Sequence, residues 1–130
     1  MNEVARNWLI RRAIQAAPLE ACGFILEHGE VVEIRNVSLA PNRGFKMCTR
    51  DATEKLKGTL EFVTGVWHTH PRGSCHPSQD DLAAIKMGAV QRNWDYFIVT
   101  RDGVFQYDTG LYAPLDMSFW KQFHSDTISP

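Results

Sequence analysis

The spacing of hydrophobic positions changes several times along the 130 residues, and each change marks an element. Ala5, Leu9, Ala13 and Ala16 fall on one helical stripe, with Ile10 and Ala17 beside it and Arg6, Arg11 and Arg12 elsewhere. This predicts an amphipathic helix over 3–16, ended by Pro18. Residues 20–27, with the apolar run Phe24, Ile25 and Leu26, read as a strand. A turn at His28 and Gly29 leads into a second strand over 31–37, where Val32 and Ile34 alternate with Glu33 and Arg35. Pro41, Asn42 and Gly44 mark a loop, 45–48 a short strand, and 51–57 a short helix closed by Gly58. An apolar strand spans 62–70. Leu82, Ile85 and Ala89 then recur at helical spacing, and 96–100 and 104–107 flank Arg101-Asp102-Gly103 as a hairpin. Phe119, Trp120 and Phe123 suggest one more short helix before a frayed end. Strands and helices intermix, so the fold class is mixed α/β.

The chemistry concentrates in residues 67–82, Trp-His-Thr-His-Pro followed by a loop and a helix start. Residues i and i+2 of a strand project to one face, so His68 and His70 can hold one ion between them. Ser78 sits where a helix N-cap belongs, and Asp81 falls three residues later in the first turn, where a carboxylate suits the helix dipole. The loop is long enough to fold that helix start back over the strand end, beside the two imidazoles. Two His nitrogens and one carboxylate are a common ligand set for a catalytic zinc, which keeps a fourth position for water. Each feature also has a plain structural reading. A His-x-His pair is often two polar residues on a solvated face, Ser78 and Asp81 form a capping box in their own right, and Glu20 alone would be a surface carboxylate at a strand start.

Taken together, the Pro18-Leu19-Glu20-Ala21-Cys22-Gly23 segment, His68-Thr69-His70-Pro71, Ser78 seven residues after Pro71 and Asp81 three beyond it resemble the signature of the JAMM (MPN-plus) metallopeptidases. The resemblance covers roughly residues 3 to 110. It implies a single-domain curved mixed β-sheet flanked by helices, an MPN/JAMM-like (cytidine-deaminase-like) architecture over 1–112, with 113–130 as a C-terminal extension. It also implies one Zn²⁺ per chain on His68, His70 and Asp81, with Glu20 as general base and later general acid, and Ser78 donating a hydrogen bond to the oxyanion. Asp80, about 100° further round the helix, should face elsewhere. Cys75 and His76 are placed as loop residues near the mouth of the site.

Composition narrows the setting. At 44% hydrophobic and 22% charged, the chain suits one globular domain. A formal net charge of -1 gives no electrostatic footprint for nucleic acid or an anionic membrane. No run has the apolar length of a membrane span, and the amino terminus lacks a signal peptide's apolar region, so a cytoplasmic location is expected. Cys22, Cys48 and Cys75, odd in number and without paired spacing, read as reduced thiols, Cys22 as a small residue buried beneath the site. Trp67 and Trp94 read as core, and His28 as a surface residue. Asn36-Val37-Ser38 matches a glycosylation acceptor, which without a secretory signal carries no meaning.

Relatives in the resembled family cut after the Gly-Gly tail of ubiquitin, ubiquitin-like or sulfur-carrier proteins, and others occur among phage tail-assembly proteins. The absence of room for the inserted segments of eukaryotic deubiquitinating members favours a compact prokaryotic or phage-type member. The expected activity is therefore a zinc peptidase or isopeptidase acting on a protein substrate. The alternative is a binding module, for instance in phage tail assembly, that keeps the metal site. A deaminase would use the same zinc, water and Glu, but its H-x-E with P-C-x-x-C pattern is absent.

Overall fold

The computed structural model describes residues 1–86 and 94–107. The expected helix near Phe119, Trp120 and Phe123, the whole 113–130 extension, Ala89 and the Ile85 side chain lie outside the described residues.

Five strands form one mixed sheet: β1 (Cys22–Leu26), β2 (Val31–Ile34), β3 (Val63–Thr69), β4 (Asp95–Thr100) and β5 (Gly103–Tyr107), in the order β2-β1-β3-β4-β5. β1 runs antiparallel to both β2 and β3, and β5 antiparallel to β4. Only β3 and β4 are parallel. A parallel pair needs a crossover, and the segment joining these two contains α3 (Gln79–Lys86). The others are α1 (Glu3–Ala16) and α2 (Thr49–Lys55).

The period-2 alternation of β1 and β3 divides the core. Ala21, Ile25, Trp67 and Val99 pack with Leu9 and Ala13 of α1 on one face. Cys22, Phe24, Leu26, Val63, Val66 and Tyr96 pack with Ala52 and Leu56 around α2 on the other. Trp8 of α1 meets Trp67 edge-to-face at 6.1 Å, a geometry that favours aromatic pairs. Arg12 ties α1 to β2 through a two-pronged ion pair with Glu33, at 2.6 and 2.9 Å. His68 lies on the α2 side of the sheet, since its neighbours Trp67 and Thr69 point the other way. Asn2 caps α1, its Oδ1 accepting the Ala5 N–H.

Several boundaries differ from the sequence reading, each for a local reason. β2 stops at Ile34 rather than 37, because the next backbone N–H, of Arg35, donates to the Asp51 carboxylate at 2.8 Å. The strand expected at 45–48 reduces to one bridge between Asn36 and Met47. α2 starts at Thr49, because Cys48 Sγ, an uncommon cap, accepts the Asp51 N–H at 3.4 Å. β3 starts at Val63 after a 3₁₀ turn at Leu60–Phe62, and ends one residue before His70. The β4–β5 hairpin forms where Asp-Gly signals it, but Gly103 pairs with Thr100 inside the ladder and is not among the glycines at positive φ. No helix among the described residues is long and apolar enough to cross a membrane.

Candidate metal centre

The site forms where the start of β1 meets the end of β3. Cys22 stands opposite His68. Two residues outward on the two antiparallel strands are Glu20 and His70, which therefore come to the same edge and, by the period of two, the same face. Beyond the last ladder pair one side-chain and one backbone bond hold the chain: the Ala21 N–H donates to Thr69 Oγ1 and the Thr69 N–H to the Ala21 carbonyl, both at 2.9 Å.

α3 supplies the third group. The Asp81 N–H donates to Ser78 Oγ at 3.0 Å, and the Ser78 N–H donates to Asp81 Oδ2 at 2.8 Å, a reciprocal cap. This fixes the carboxylate where its Oδ2 lies 3.1 Å from His68 Nε2 and 3.2 Å from His70 Nε2, while the two Nε2 atoms are 3.0 Å apart. The cap and the convergence are one arrangement.

Tautomers follow from the surroundings. His70 Nδ1 faces the Ser74 carbonyl at 2.9 Å, which can only accept, so Nδ1 carries the proton and neutral His70 presents a lone pair at Nε2. Gly73, at φ +90°, makes the turn that brings Ser74 under the ring. Phe45 stacks on His68 with ring centroids 4.6 Å apart. Burial holds His68 below its ordinary pKa despite the Asp81 carboxylate, which keeps the ring neutral. Burial also acts to lower His70, but its hydrogen bonds to Asp81 and Ser74 and the charges of Asp81 and Glu20 raise it. Asp81 is half-buried, which opposes ionisation, yet the two imidazoles and the Ser78 N–H hold its carboxyl well below the usual range.

Glu20 is 8% exposed, and its Oε1 has no hydrogen-bond partner among the described residues. Burial pushes its pKa up to about 7; His70 opposes this and the Asp81 charge adds to it. A buried, unpartnered carboxylate oxygen is costly, and its position beside the imidazoles gives it a use. One donor atom each from Glu20, His68 and His70 all lie within 4.8 Å of one another, a group that could hold a metal ion. The Asp81 triangle is tighter, with no edge above 3.2 Å. Imine nitrogens and carboxylate oxygens at such spacing oppose one another unless a proton or cation lies among them, so the donor set fits a divalent metal.

The remaining sequence candidates fall around this centre. Asp80 is exposed, as its place on the helix implies. Cys75 is half-buried and His76 exposed in the loop before α3, and among the described residues neither joins the group of donor atoms. Cys22, opposite His68 on the neighbouring strand, is fully buried, and its thiol donates to the Ile34 carbonyl at 3.4 Å. Sequence reasoning missed Phe45, Thr69 and Asn36 as parts of the site's surroundings. Phe45 and Thr69 carried no signal of such a role, and Asn36 showed only inside the expected 31–37 strand and in the glycosylation match.

A family model described as prokaryotic homologs of the JAB domain matches residues 3–113. Comparison with curated proteins finds no match. Among solved structures, the solution structure of a protein from Desulfitobacterium hafniense aligns with a TM-score of 0.57 at 23% identity, covering 78% of this chain and 84% of that one. At that identity the likeness supports the fold alone.

Proposed function

The chain belongs to the prokaryotic homologs of the JAB domain, and from that premise we propose that it is a zinc-dependent peptidase or isopeptidase, with His68, His70 and Asp81 as metal ligands and Glu20 as general base. One observation carries the reading: three donor atoms converge within 3.2 Å beside a buried carboxylate oxygen that has no partner among the described residues. Zinc–ligand bonds of about 2.05 Å at the tetrahedral angle set ligand atoms roughly 3.3 Å apart, close to the observed edges. Glu20, within 4.8 Å of the imidazole donor atoms, would act on water rather than join the three proposed ligands.

A bound zinc supplies a Lewis acid and acidifies its water toward neutral pH. The chain's own groups do the rest. Glu20, buried beside the imidazoles, would take a proton from water and return it to the leaving amine. Asp81 anchors to the α3 N-terminus, and the Ser74 carbonyl fixes the His70 ring, so that both ligands are oriented before an ion arrives. Ser78 Oγ accepts in the cap, which uses a lone pair and leaves its proton uncommitted by that bond, and its proposed role is a hydrogen bond to the oxyanion. The reaction is amide hydrolysis without a covalent intermediate. The Gly-Gly tail of a ubiquitin-like or sulfur-carrier protein is the proposed substrate.

The test is elemental analysis of protein purified without an affinity tag, alongside His70→Ala, followed by assay on Gly-Gly-tailed conjugates. About one zinc per chain in the parent, none in the variant, and cleavage after Gly-Gly are expected. No metal in the parent after zinc is offered would overturn the metal assignment. Metal without turnover would instead favour a binding module, such as one serving phage tail assembly.

A further inference from the structure

We propose that Asn36 is a positioning residue whose side-chain amide fixes the backbone of Glu20 and registers the 37–46 loop over the site. The inference rests on the reading of Glu20 as the base.

The reason lies in where the ladder ends. β1 begins at Cys22, so no strand pairing holds Glu20. Both of its backbone polar groups are instead satisfied from the loop. The Glu20 N–H donates to the Pro41 carbonyl at 2.7 Å, and the Glu20 carbonyl accepts from Asn36 Nδ2 at 2.9 Å. The same Nδ2 donates to the Gly44 carbonyl at 3.1 Å. Asn36 Oδ1 accepts the Ser38 and Lys46 N–H groups, both at 3.0 Å. A primary amide has two donor and two acceptor positions, and Asn36 uses them all. One side chain thus spans three segments: the start of β1, the outgoing arm of the loop and its return.

The base of the loop is closed independently. The Val37 N–H donates to the Lys46 carbonyl at 2.8 Å and the Cys48 N–H to the Arg35 carbonyl at 2.9 Å, around the Asn36–Met47 bridge. Removing the Asn36 side chain therefore leaves the loop tethered at its stem, while Glu20 loses one of its two backbone anchors and Pro41, the other, loses its register. Phe45, which covers His68, sits in the same returning arm. Glu20 Oε1 has no hydrogen-bond partner among the described residues, so no such bond aims that oxygen and its backbone anchors matter more. Displacements near 1 Å in a catalytic group cost as much as about 10²-fold in rate.

Parent, Asn36→Ala and Asn36→Asp, each loaded with zinc, are compared by residue-resolved amide exchange and by turnover of a fluorogenic peptide amide ending in Gly-Gly. The Asp variant keeps both acceptor bonds and removes the two donor bonds, to the Glu20 and Gly44 carbonyls, so it tests the claim with the loop still held by Ser38 and Lys46 if the Ala variant fails to fold. The Glu20 amide should exchange at least about tenfold faster in both variants, with amides inside β1 and β3 at parental rates. Zinc should stay at about one per chain, and kcat should fall about 10- to 100-fold with KM within about twofold. Parental exchange at Glu20, uniform acceleration across β1 and β3, or parental kcat with a loosened Glu20 amide would each overturn the proposal. A parent that cleaves nothing fails the functional reading instead, and exchange at Glu20 then decides the positioning claim alone.

Discussion

Cys22 stands directly opposite His68 in the β1–β3 pair, and this one register brings Glu20 alongside His70. A slip by one residue would send every side chain of β1 to the other face. It would carry Glu20 away from the imidazoles and put Cys22 and Phe24 among the α1 contacts.

Gly23 guards that register. A Cβ there would overlap the Val32 carbonyl oxygen and come within 2.9 Å of both Glu33 Cα and Trp67 Nε1. Overpacking of this kind costs about 1–3 kcal/mol or more. Gly23→Ala should lower the denaturation midpoint accordingly and weaken metal binding together with it, measured by chemical unfolding and zinc titration. Unchanged stability would show that β1 can shift freely.

Ser78 caps α3, and one substitution separates that bond from the chemical role proposed for its hydroxyl. Glycine at an N-cap costs only a few tenths of a kcal/mol, while it removes the hydroxyl. Ser78→Gly should fold with near-parental stability and bind zinc, yet lose about 10²- to 10³-fold in kcat. Parental turnover would confine Ser78 to its capping bonds.

Glu20→Gln should keep the metal and lose about 10²-fold or more in kcat. It also changes how the metal-free protein responds to pH. The folded state raises the Glu20 pKa from 4.5 to about 7, mainly by burial. Stability from this carboxyl is therefore fully present below about 4.5 and is lost as pH rises toward 7. Metal-free Glu20→Gln should lose less stability between pH 5 and pH 8 than the metal-free parent does, as read from urea midpoints. Identical slopes would mean that Glu20 is solvated rather than buried.

The three thiols should separate by accessibility. Cys22 and Cys48 are at most 1% exposed, and burial, reinforced by the Glu33, Glu20 and Asp51 charges, pushes the Cys22 thiol well above its ordinary value. Cys75 is half-buried in the loop before α3. An aromatic disulfide reagent should label one thiol per native chain and three after unfolding. Rapid labelling of Cys22 in the native protein would contradict its burial opposite His68.

Much of the arrangement could be read before any coordinates. The 3.6-residue stripe of Ala5, Leu9 and Ala13 and the alternation of Val32 with Glu33 are local patterns, and they gave α1 and the β1–β2 hairpin nearly as observed. The reciprocal Ser78–Asp81 cap is likewise local, spanning three residues. The boundaries that moved did so where a distant or unusual group took over a backbone bond: Asp51 at the end of β2, Cys48 Sγ at the start of α2.

The sequence by itself therefore determined most of the described elements and the Ser78–Asp81 cap, because helix and strand periods, caps and motif spacings act over a few residues. Tertiary structure alone decided that Cys22 pairs with His68, that Phe45 covers the ring, that Asn36 reaches across to Glu20, and that burial lifts the Glu20 pKa. Those outcomes depend on contacts between segments far apart in the chain and on water excluded from between them. Neither quantity is encoded in the spacing of neighbouring residues.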